Sequence, residues 1–132
     1  MKKRLAVLCG AVLLGGCVGM RDITANDLRK PEYASESAHF DKSIQQVNQA
    51  LFEHATACRA FGTISADPTG AKRIVVTDEG MGLTKMAVWA LVDIDADAGG
   101  VTLTSYDYYR NGNTRHFIGE VINAINDPKT CA

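Results

Sequence analysis

Apolar residues recur at spacings of three and four from Phe40 through Ile44, Val47, Leu51 and Ala55 to Cys58, with Lys42, Gln45, Gln46, Gln49 and Glu53 between them. That period gathers the apolar set on one stripe and predicts an amphipathic helix over residues 37–59. Ser37 is the expected N-cap, and Asp41 in the first turn suits the positive end of the helix dipole. A second stripe, Phe117, Ile118, Val121, Ile122 and Ile125, predicts a C-terminal helix whose outer face carries Glu120, Asn123 and Asn126. Asn113 or Thr114 is placed to cap it. Asp127-Pro128 ends it, because proline lacks the amide donor and disfavours helix in the residue before it.

Between the two helices the pattern shortens to β-rich runs at 61–65, 72–77, 84–93 and 101–109. Asp67-Pro68-Thr69-Gly70 has the residue order of a type I turn. Residues 78–82 and 95–100 are rich in Gly and Asp and are expected as flexible connections. The third run places Met86, Val88, Ala90 and Val92 on one face and Ala87, Trp89 and Leu91 on the other, the mark of a central strand covered on both sides. Strands in sequence with tight turns predict an antiparallel meander. The expected fold is therefore α+β: a two-layer sandwich, a four-stranded meander with two helices on one face, in the order αββββα.

The N-terminal segment follows other rules. Lys2-Lys3-Arg4 precedes an apolar run from Leu5 to Leu14, and the run closes on Leu14-Gly15-Gly16-Cys17. About ten helical residues span about 15 Å, half of a bilayer's hydrocarbon thickness, so the run is too short for a transmembrane helix. A basic n-region, a short apolar core and small residues before a cleavage site are the parts of a secretory signal. The Leu-Gly-Gly-Cys sequence resembles the lipobox of bacterial lipoproteins. That resemblance implies that Cys17 carries the lipid and becomes the first mature residue. Val18 in place of an Asp directly after the cysteine implies the Gram-negative outer membrane, with the domain facing the periplasm. The expected organisation is a signal over 1–16, a lipidated Cys17 with a polar tether over 17–36, and one domain over 37–132. In the alternative to a tether, Ile23, Leu28 and Tyr33 pack onto the domain as an arm.

This address changes the remaining inventory. Three of the fourteen basic groups lie in the signal, so the mature chain sets eleven against fifteen acids and its formal charge moves from −1 to −4. No basic footprint for nucleic acid remains. Of the four cysteines, Cys9 leaves with the signal and Cys17 takes the lipid, so Cys58 and Cys131 are left as a pair for one disulfide in an oxidising compartment. The competing reading is a thiol or metal site at Cys58 with His54, four residues earlier on the same helix face. One His and one Cys are too few ligands for zinc.

Asp93, Asp95 and Asp97 alternate as calcium ligands do, but Ala98 and Thr104 stand where an EF-hand loop requires Gly and Glu. No metal or cofactor is assigned. There is no Gly-x-Ser-x-Gly elbow, no His-Glu-x-x-His and no phosphate loop, so no catalytic residues are assigned. The run Tyr106-Asp107-Tyr108-Tyr109-Arg110 is the candidate recognition surface, because tyrosine pairs apolar area with a polar tip. The expected function is non-enzymatic: an outer-membrane lipoprotein acting through an envelope protein partner. The alternative is binding of a small molecule, glycan or peptidoglycan.

Overall fold

Ile44, Val47, Ala50, Leu51 and His54 form the buried stripe of a helix that begins at Ile44 rather than at 37. In this computed structural model, which describes residues 21–59, 61–66 and 72–131, that helix runs Ile44–Ala57. Its N-cap is Ser43, whose hydroxyl accepts from the Gln46 amide while the Gln46 side chain accepts from the Ser43 amide. This capping box satisfies two orphan donors at once and outcompetes Ser37 as the start. The signal, Cys9, Cys17 and the Asp67-Pro68-Thr69-Gly70 turn lie outside the described residues.

The segment expected as tether and first helical turn is folded otherwise. It contains a short helix α1 (Ala25–Leu28), a 3-10 turn (Pro31–Tyr33) and a strand β1 (Ala34–Phe40); the Ile44–Ala57 helix is then α2. The rest is β2 (Thr63–Ala66), β3 (Arg73–Met81), β4 (Met86–Asp97), β5 (Gly100–Asp107) and α3 (Gly112–Asn126). The sheet thus has five strands rather than four, all antiparallel, in the order β1-β5-β4-β3-β2. The mixed helix and strand class and the β2 to β5 meander follow the expected pattern. The added strand β1 pairs with β5 along the far edge.

This topology puts β1 and β2, the two edges, on either end of α2. Four strand spacings are about 19 Å, and the 14 residues of α2 extend about 21 Å. One helix of this length therefore carries the chain across the sheet. Ile44, Val47 and Leu51 of α2 and Phe117, Ile118, Val121, Ala124 and Ile125 of α3 pack with Ile74, Val76, Ala90, Val92, Ile94, Val101 and Leu103 in a single core. Both helices share this core on one face of the sheet.

The opposite face is covered by the N-terminal arm. Leu28 is fully buried and clusters with Ile23 and Leu91, with Tyr33, Val88, Tyr106 and Tyr108 packed around them. Arg29 donates to both carboxylate oxygens of Asp93, from Nε at 2.7 Å and from a terminal nitrogen at 2.8 Å. Past Asp107, β5 no longer pairs with β4, and there the Ile23 carbonyl accepts from the Val88 amide at 2.8 Å. Asp22 then caps the β3–β4 turn, accepting from the Thr84 amide at 2.9 Å, the Lys85 amide at 3.3 Å and the Thr84 hydroxyl. The described part of the expected tether is thus the packed arm.

The C-terminal end is fixed by covalent and polar links. α3 is capped by Asn111, not Asn113 or Thr114; its side-chain oxygen accepts from both of their amides at 3.0 Å. Beyond Asp127, the Pro128 carbonyl accepts from buried His54 Nδ1 at 3.1 Å and the Thr130 carbonyl accepts from the Asn123 side-chain Nδ2 at 3.0 Å. Cys131 is bonded to Cys58 at the end of α2, with Cα atoms 5.3 Å apart across 73 positions of sequence. In the chain-entropy model a loop of that size contributes about 4 kcal/mol, as an upper figure.

Two predictions follow from the arm. Leu28→Ala empties a site with no solvent exposure and lowers unfolding free energy by about 2–5 kcal/mol in denaturant titration; a loss under about 0.5 kcal/mol, the scale of surface substitutions, would mean the arm is loose. The Asp22 carboxyl is held below the ordinary 3.8 chiefly by the Thr84 hydroxyl and amide. A depressed folded value means its contribution is complete above the unfolded pKa and is lost as pH falls through the folded one. Amide-exchange protection at Thr84 and Lys85, relative to the intrinsic rate at each pH, should therefore fall below pH 3.8 ahead of protection at Val92, and be low at every pH in Asp22→Ala.

Candidate functional site

Trp89 is one residue too many. Asp78 pairs with Ala90 and Glu79 with Val88, so the tryptophan between them has no partner on β3 and forms a β-bulge. A bulge re-aims its side chain and shifts the alternation beyond it. Val88 and Leu91 consequently face the arm together, although strict alternation separates them. The Trp89 ring lies over Gly80, where an added Cβ would sit 2.1 Å from the indole. Gly80 was expected in a flexible connection; it is a strand residue that leaves room for the ring.

The tyrosine run divides at this point. Tyr106 and Tyr108 are half-buried under the arm, and the Tyr108 ring lies 5.7 Å from that of Tyr33. Arg110 donates to the carbonyls of Glu32 and Ala34, tying the same arm down. Three of the four residues expected as a recognition surface therefore hold the protein's own N-terminal segment. Tyr109 turns the other way and meets Trp89 edge-on at 5.8 Å, buttressed by Tyr108 at 4.9 Å.

Tyr109 and Trp89 wall a cleft of about 430 Å³, completed by Asp78, Asn111, Asn113 and Thr114. Asn111 is fixed by its capping bonds at the start of α3. The Trp89 indole Nε1 is buried and has no acceptor among the described residues. Burial, followed by the neighbouring Glu79 charge, raises the Asp78 carboxyl above its ordinary range. Two aromatic side chains and a rim of amide and hydroxyl groups suit a flat apolar ring or side chain with polar edges. Trp89 stood on the expected central strand, but no periodic signal could show the bulge that exposes it.

The other candidates have structural partners. Asp93 is held by Arg29, and Asp95 by a matching Arg73 fork at 2.6 and 3.0 Å. Asp97 accepts from the Thr102 hydroxyl at 2.6 Å and the Gly99 amide at 2.9 Å, which hold its carboxyl below the usual range. Among the described residues no group of three or more metal-ligating side chains comes together. Cys58 is in the disulfide. His54 has no exposed surface; its Nε2 lies 3.4 Å from Glu120 and its ring meets Phe61 edge-on at 5.0 Å. No helix among the described residues is long and apolar enough to cross a membrane. No family model, curated protein or solved structure matches the chain.

Because Trp89 is the sole tryptophan, its fluorescence reads the cleft directly. Gly80→Ala should displace the ring and shift emission to longer wavelength while far-UV circular dichroism stays unchanged. Unchanged emission in the folded variant would show that the indole does not rest on Gly80.

Proposed function

We propose that the chain is a lipid-anchored protein of the Gram-negative outer membrane that faces the periplasm and acts by binding rather than catalysis. Leu14-Gly15-Gly16-Cys17 supports the anchor, and Val18 supports the outer-membrane address. The observation that carries the binding role is the cleft between Trp89 and Tyr109. Its aromatic walls are anchored from below by Gly80 and Tyr108, so it can accept a projecting side chain of an envelope protein partner without first ordering itself. Tyr106 and Tyr108, half-buried against the arm, are left outside the proposed surface.

One observation favours a second ligand class. The cleft sets two aromatic side chains beside the polar groups of Asn111, Asn113 and Thr114, so a sugar ring stacked on its walls would bring hydroxyls to that rim. A glycan such as a peptidoglycan fragment is the alternative occupant.

A photo-crosslinking residue placed at Asn113 in intact cells distinguishes the two. A protein partner yields one discrete adduct in the outer-membrane fraction, which disappears with Trp89→Ala or Tyr109→Ser and is not formed from a probe at Ala98. A glycan yields no protein adduct, while muropeptides quench Trp89 fluorescence in a saturable way. Neither adduct nor quenching would overturn the binding role of the cleft.

A further inference from the structure

Among the described residues four large apolar side chains are prominently exposed, and three of them sit together. Met81 and Met86 are paired at the end of the β3–β4 hairpin, and Leu83 is in the turn between them; they are 63%, 55% and 74% exposed. The fourth, Phe52, lies apart on α2. The turn is held in shape. The Gly82 amide donates to the Lys85 carbonyl at 2.8 Å, and Asp22 accepts from Thr84 and Lys85. A rigid, well-bonded turn that keeps a leucine and two methionines in water is unusual for a surface with no partner.

We propose that this hairpin tip is a membrane-contact surface, with Met81, Leu83 and Met86 entering the headgroup and upper acyl region of the leaflet that holds the protein. The occupant is identified by chain length. Asp22, bonded to the tip, is five residues from Cys17, and five residues reach at most about 17 Å even when fully extended. A lipid on Cys17 therefore keeps Asp22 and the tip within about 17 Å of the membrane surface. The exposed Lys85 and Arg21 beside the apolar trio put cations at the level of lipid phosphates, the arrangement of interfacial anchors. The tip proposal rests on the lipid-anchored reading above. The opposite end of the sheet is out of reach: β4 has 12 residues, so the β4–β5 turn lies roughly 35 Å away.

The mature protein, purified from membranes and reconstituted in phosphatidylethanolamine and phosphatidylglycerol vesicles with brominated acyl chains, provides the test. In a Trp89→Phe background, Leu83→Trp should be quenched several-fold more strongly than Ala98→Trp, which reports the far turn. Adding Met81→Ser and Met86→Ser should weaken that quenching. The mass of the N-terminal residue reads the anchor separately. If it carries acyl chains while both reporters are equally unquenched, the tip proposal is wrong and the anchor stands. If acyl chains are absent and Leu83→Trp is unquenched, both fail.

Discussion

The bidentate pair between Arg29 and Asp93 is the interaction on which the layout of the second sheet face depends. Asp93 is 3% exposed on the central strand β4. A carboxylate so placed requires a charged partner with matching geometry, because an unpaired buried charge costs several kcal/mol. Arg29 meets that need with two parallel donors, and Asp93 in turn raises the guanidinium pKa. The residue next to Arg29 is Leu28, so satisfying the charge also seats the apolar plug on Leu91. Charge and packing thus act on adjacent residues. The arm is fixed in register by the ion pair and stabilised by the burial beside it.

How much of this could be read from the sequence depended on the kind of signal. Most of α2 and all of α3 carry a regular apolar period, and the β2 to β5 meander has strong strands separated by turns; these elements were legible. β1 was not. Ala-Ser-Glu-Ser-Ala-His-Phe at the sheet edge is exposed along most of its length, so it has no continuous apolar face, and Phe40 happens to fall in phase with the stripe of α2. The arm was hidden for a related reason. Its anchors are one leucine, one isoleucine and one arginine whose partners lie more than sixty positions away, as with Arg29 and Asp93. Short-range periodicity carries no information about contacts of that range.

The acidic stretch shows the same limit from the chemical side. Asp93, Asp95 and Asp97 share a face of β4, which spacing alone suggests for a cation site. Two are matched by arginines from different elements, and the third is bonded within its own hairpin. The charges of Asp93 and Asp95 are thus balanced from within the fold. The cysteines divide in an orderly way as well: Cys58 and Cys131 close the C-terminal end onto α2, while the arm closes the N-terminal end onto the other face. The disulfide thus ties the segment after α3 to the helical layer, and the arm packs on the other face of the sheet.

The bulge at Trp89 is what allows one strand to serve these separate surfaces. If all these residues were kept in strict alternation with no bulge, Val88 would fall on the face of Ala90 and Val92, beneath the helices, and the arm would lose part of its floor. With it, Val88 joins Leu91 under the arm, its amide meets Ile23, and Trp89 is turned toward the start of α3 and Tyr109. The same irregularity therefore shapes the cleft and helps seat the arm whose Asp22 braces the hairpin tip. Cleft and tip are consequently linked through a few residues of β4, from Met86 to Ala90.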